Sequence, residues 1–91
     1  MYVKAAVLKF HLSGSFSLKD KRQIRKRLIE RTKQKFNVSI AEVATQEIHQ
    51  TLTIGFAIVS GDAGNATDIF EKILRYLGES EVAELVDIEE V

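Results

Sequence analysis

Nine of the chain's 13 Lys and Arg residues lie between Lys19 and Lys35, a stretch whose only acids are Asp20 and Glu30. Ammonium and guanidinium groups at this density suit one kind of chemistry, the holding of phosphate or carboxylate oxygens. The rest of the sequence offers little to a catalyst. There are no cysteines, which excludes disulfides, thiolate metal sites and a cysteine nucleophile together. His11 and His49 stand 38 positions apart with no carboxylate spacing that would make a zinc site. Gly61-Asp62-Ala63-Gly64 lacks the spacing of a phosphate-binding or dinucleotide-binding loop. Glu79, Glu81, Glu84, Asp87, Glu89 and Glu90 read better as a solvated edge strand that resists aggregation than as a divalent-cation site. The expectation is no enzyme, no cofactor and no metal.

Net charge is zero, but the average conceals a separation. Residues 1–40 hold eleven Lys and Arg against two acids, a net +9. Residues 41–91 hold two bases against eleven acids, a net −9. Such asymmetry points toward nucleic acid or toward an interaction surface. A chain of 91 residues is expected to be one domain, 1–91, with an adequate but thin core. Its apolar runs are broken by Lys, Thr or Gly, so no membrane span is expected. Its first residues are too charged for a signal peptide, and a cytoplasmic location is the default.

Periodicity places the charges on elements. Tyr2 to Leu12 alternates as a strand, with Ala6, Leu8, Phe10 and Leu12 on one face and Val3, Ala5, Val7, Lys9 and His11 on the other. Ser17 with Asp20 three residues later opens a helix that runs to about Phe36. Its apolar arc is Leu18, Ile24, Leu28, Ile29 and Phe36, and Asn37 is a plausible stop. Val38 to Ala44 reads as a second strand, residues 45–49 as a polar connection, and Gln50 to Ser60 as a third strand with Leu52, Ile54, Phe56 and Ile58 on one face. After a cap at Asp62, the stripe Ala66, Ile69, Phe70, Ile73, Leu74 and Leu77 marks a second helix, with Gly78 at the expected C′ position. Glu84 to Val91 completes the series as a fourth strand.

The order βαββαβ predicts an α+β ferredoxin-like sandwich, a four-stranded antiparallel sheet with both helices on one face. Right-handed crossovers place the strands in the order fourth, first, third, second. Leu8, Phe10, Leu28, Ile54, Phe56, Ile69, Phe70 and Ile73 are the expected core. Val3, Ala5, Val7, Thr53, Ala57 and Val59 then fall on the open face, a small apolar surface expected to serve as an oligomer face. That face carries no aromatic on which a base would stack.

Lys19, Lys21 and Arg22 crowd the first turn of the basic helix, where the dipole disfavours cations, and Lys26 follows one turn later. These four are the candidate phosphate-binding residues, because exposed N–H groups beside cations suit an anion. A plainly solvated helix face is the competing account. Lys33 and Lys35 sit at the end where the dipole favours them. Arg25 projects into the apolar arc, and the favoured reading is a stem packed on the core with its guanidinium reaching water.

Four stretches, Ser17-Leu18-Lys19-Asp20-Lys21-Arg22, Phe36-Asn37-Val38-Ser39-Ile40-Ala41-Glu42-Val43, Gly55-Phe56-Ala57-Ile58-Val59-Ser60 and Ala83-Glu84-Leu85-Val86-Asp87, resemble the YlxP-like family of uncharacterised bacterial proteins. The resemblance covers essentially the whole chain. It implies a ferredoxin-like fold, no defined activity, and a link to RNA through genes for translation initiation and ribosome maturation that neighbour the family. Arg25 and His49 depart from the residues usual at those positions. Acylphosphatases share the fold, but the equivalent loop here, Ser13-Gly14-Ser15-Phe16, has no arginine. The expected function is a non-catalytic accessory domain docking on RNA or a ribosomal particle through its first helix; the alternative is a self-associating protein-interaction module without nucleic acid.

Overall fold

The computed structural model describes all 91 residues, Met1–Val91. Its elements are β1 (Tyr2–His11), α1 (Leu18–Lys35), β2 (Ser39–Ala44), β3 (Thr51–Ser60), α2 (Ala63–Gly78) and β4 (Glu84–Glu90). The strands form one antiparallel sheet in the order β2-β3-β1-β4, the expected arrangement. β1 and β3 pair along their full length, from Tyr2 opposite Ser60 to His11 opposite Thr51. A bulge at Glu42/Ala44 shortens the β2 ladder, and a second at Lys9/Phe10 displaces β4.

The alternation of β1 and β3 determines where the core lies. Leu8, Phe10, Leu12, Leu52 and Ile54 are sealed from solvent beneath the helices, and Phe56 is 3% exposed. α2 adds Ala66, Phe70, Ile73 and Leu77, with the Phe70 ring 5.4 Å from that of Phe56. Ile69 is the one expected core residue that stays half-buried, on the margin of the stripe.

The helix ends follow local chemistry. The Ser17 hydroxyl accepts the Asp20 N–H at 3.1 Å, while the Asp20 carboxylate reaches back to accept the Phe16 N–H at 3.0 Å. Asp62 caps α2 by accepting the Asn65 N–H at 2.7 Å. Gly78 is not the left-handed C′ residue that its position suggested: it is the last helical residue, Glu79 caps the helix, and no glycine has positive φ. Gly55 is needed for a different reason. A Cβ there would lie 2.9 Å from Val43 Cγ1, because the β2 bulge lays the Val43 side chain across it.

Candidate nucleic-acid interface

α1 packs along the β2 side of the sheet, and the acidic β4 forms the opposite edge. Part of the charge separation in the sequence is thus a separation in space, with Glu84, Asp87, Glu89 and Glu90 on the edge away from α1. Nine cations lie on α1, and the fold divides them into two groups.

The inner group is Lys21 and Arg25. Lys21 is 1% exposed, and its ammonium lies 2.9 Å from Glu42 Oε2. The same ammonium donates to the carbonyls of Ile48, at 2.8 Å, and Thr45. Arg25 Nη1 donates to Glu42 Oε1 at 2.9 Å. Glu42 reaches this place by simple alternation: it follows Ile40 on the covered face of β2 and stands opposite Ile54. Burial by itself pushes its carboxyl up. The hydrogen bonds and charges of Lys21 and Arg25 outweigh that effect and hold it below the usual carboxylate range.

Lys21 is therefore removed from the candidate phosphate set. A buried ammonium without a partner is strongly disfavoured, so its protons are directed to Glu42 and two carbonyls rather than to solvent. Arg25 combines the two accounts weighed for it. Its side chain stays 34% exposed, as a water-reaching guanidinium should, and it also pairs with a buried carboxylate.

The cluster also positions the loop beside the helix entry. Thr45 is the one non-glycine residue in the left-handed region, at φ 56°. Its carbonyl takes the Lys21 ammonium and its hydroxyl lies 2.8 Å from that of Thr53, which is only 4% exposed and so, contrary to expectation, is no part of an open oligomer face. From the same loop, His49 Nδ1 lies 3.1 Å from the carbonyl of the buried Ser15 in the β1–α1 connection. The β2–β3 loop is thereby tied to both sides of the start of α1.

The outer group is exposed. Lys19, Arg22, Lys26, Arg27, Arg31 and Lys33 have no carboxylate within ion-pair distance, although Glu30 lies among them. Lys35 stands apart, its ammonium 4.7 Å from the Tyr76 ring centre. From Lys19 to Lys33 the array runs along about 21 Å of helix. Where it meets α2, a shallow groove of about 390 Å³ sets Arg27 and Arg31 opposite Glu79 and Glu81, which bound the array on that side. Chemically it is a row of point charges and planar donor forks with their hydrogen-bonding capacity free for anionic oxygen.

Of the four cations singled out from sequence, Lys19, Arg22 and Lys26 thus belong to the exposed array. Arg27, Arg31 and Lys33 join them, and their signal was their absence from the apolar arc. Glu42 was not singled out, yet it organises the inner group. A lone acid in phase with Val38 and Ile40 was its signal.

No helix is long and apolar enough to cross a membrane. Residues 3–90 match the model of a family described as "Protein of unknown function (DUF503)". The chain is also 36% identical over 61 residues to the uncharacterized protein YlxP of Bacillus subtilis (strain 168). That alignment covers 67% of this chain and 66% of the relative, so it spans slightly less than two thirds of the relative's length. With the family match running almost end to end, the chain belongs to the DUF503 family of proteins of unknown function.

Proposed function

We propose that this domain docks on RNA through the outer face of α1, as an accessory domain without catalytic activity. The observation that carries the reading is the unpaired array of Lys19, Arg22, Lys26, Arg27, Arg31 and Lys33. Exposed helices of soluble proteins usually interleave both signs and form pairs three or four residues apart. Here Glu30 pairs with none of its basic neighbours. Three of the six cations are arginines, whose forks match phosphate oxygens two at a time. Recognition by backbone and shape suits the rest of the molecule, because the open faces of β1 and β3 present no Phe, Tyr or Trp ring for a base to stack on, only His11 at the end of β1. A ribosomal particle is one source of such RNA.

The test replaces Lys19, Arg22 and Lys26 together by Glu and leaves Lys21 in place. Wild type should bind unstructured RNA with a salt slope of about 0.7 per phosphate contacted, and the triple variant should lose binding. Lys35→Glu should matter less, because Lys35 lies over Tyr76. If the triple variant co-sediments with RNA and ribosomal fractions as wild type does, the array is only a solvated face. If wild type ignores RNA but captures an acidic protein with the same salt dependence, the partner class is wrong.

A further inference from the structure

The cations of α1 do not form one uniform face. At 100° per residue, Lys19, Arg22, Lys26 and Lys33 project within an arc of about 60°, on the flank turned toward β2. Arg27 and Arg31 project on the flank turned toward α2. That flank is nearly balanced, because the two arginines share its groove with Glu79 and Glu81. On the β2 flank, Lys19, Arg22, Lys26 and Lys33 line one shallow depression together with Arg25, and Glu30 is its only acid.

Arg25 differs from the others in being held. Its Nη1 donates to Glu42 Oε1 at 2.9 Å, and the Glu42 side chain is only 5% exposed. Glu42 does not cancel the guanidinium, since the Lys21 ammonium lies 2.9 Å from the other carboxylate oxygen. Two cations against one carboxylate leave the group with a net positive charge. Lys21 is sealed from solvent, so Arg25 is the end at which that charge meets water. A guanidinium has five N–H donors, and the bond to Glu42 uses one of them.

The other cations of the depression make no ion pair. A long side chain loses rotamer freedom when it closes on an anion, and one already fixed in place loses less. A fork fixed in direction also sets where a phosphate can lie. We infer that the β2 flank of α1 is a phosphate-binding strip whose fixed point is Arg25, positioned by Glu42. Arg22 and Lys26 are the adjustable cations beside it, and the α2 flank takes no part. The inference rests on the RNA reading of α1 and narrows it, from a helix face to one flank and from a row of charges to one oriented donor.

The test is an anisotropy titration of a fluorescein-labelled oligouridylate, about a dozen nucleotides long, at low salt, with variants that keep the charge. Arg25→Lys should weaken binding about tenfold, because an ammonium keeps the charge and loses the fork. Arg22→Lys should change it about twofold or less, and Arg27→Lys with Arg31→Lys should leave it unchanged. Glu42→Gln separates anchoring from charge. Removing a carboxylate should not weaken binding if charge alone matters, whereas loss of the anchor should weaken it severalfold; unchanged or tighter binding refutes the role of Glu42. Circular dichroism at the titration temperature shows that each variant is folded, and Arg25→Lys, at a side chain that reaches water, carries the test if Glu42→Gln does not fold. A wild-type chain that ignores the oligonucleotide overturns the reading of α1 and this inference with it. A wild-type chain that binds, loses binding when Lys19, Arg22 and Lys26 become Glu, and is indifferent to Arg25→Lys overturns the inference alone. So does a loss in the Arg27 and Arg31 variant equal to that of Arg25→Lys.

Discussion

The two helices lie on the same face of one sheet and are anchored by opposite means. α2 is held by an apolar stripe, Ala66, Phe70, Ile73 and Leu77, each fully covered. α1 buries Leu28 together with two polar residues, Lys21 and Thr32. Thr32 is accommodated because its hydroxyl donates to the Leu28 carbonyl at 2.7 Å, within the helix itself. Lys21 is accommodated only because β2 brings a carboxylate to meet it. The difference teaches that a helix so heavily basic has few apolar positions left for its inner face, and the sheet compensates with a charge of its own. The attachment of α1 therefore depends on protonation state and on geometry, whereas that of α2 depends on volume.

The largest effect should come from breaking that attachment at Glu42. Glu42→Leu strands the Lys21 ammonium in the core with two carbonyls, at an expected cost of about 3–5 kcal/mol. Adding Lys21→Met should recover most of the loss, because Arg25 is free to turn to water. Phe70→Ala in α2 should cost about as much through its cavity, and no charge change should rescue it. Denaturant melts of the four chains check this, and a double variant no more stable than Glu42→Leu refutes electrostatic anchoring.

A smaller effect follows from pH. The Glu42 carboxyl is held below its ordinary value, so the unfolded chain takes up the proton first as pH falls. The stability that Glu42 contributes is fully present above the unfolded value of about 4.3 and is lost as pH drops through the lower folded value. The stability gap between wild type and Glu42→Gln should accordingly narrow in acid, while that between wild type and Phe70→Ala stays level. Urea melts at neutral and acid pH measure both, and a constant gap for Glu42→Gln breaks the comparison.

The smallest effect concerns the entry of α1. Lys19 is exposed at the positive end of the helix dipole, so Lys19→Glu should raise stability by roughly 0.3–1 kcal/mol. Lys21→Glu, two residues further along, should instead unfold the chain, because it sets two carboxylates against each other in the core. Thermal melts of the pair distinguish a surface cation from a buried one, and equal melting temperatures would show that Lys21 is not buried.

Much of this was legible before any coordinates. Period-two alternation placed Leu8, Phe10, Ile54 and Phe56 in the core and Val3, Ala5, Ala57 and Val59 outside it, and the structure places them so. The Ser17 cap and the strand order were equally readable, since both follow from local chemistry and crossover handedness. Lys21 was misplaced although its phase was available: at 100° per residue it projects between Ile24 and Arg25, inside the apolar arc. Its charge argued for solvent, and an acid 21 positions away in the chain decided otherwise.

Composition and periodicity by themselves determined the elements, the two faces of the sheet and the concentration of cations on one helix, because each depends on a residue and its near neighbours. Only the tertiary structure decided which cations are free. Burying an ammonium is allowed or forbidden by what surrounds it, and what surrounds Lys21 comes from β2 and from the loop after it. Strand pairing brings Glu42 and the carbonyls of Thr45 and Ile48 to one point beside α1. Nothing along the chain expresses that distance until the sheet has formed.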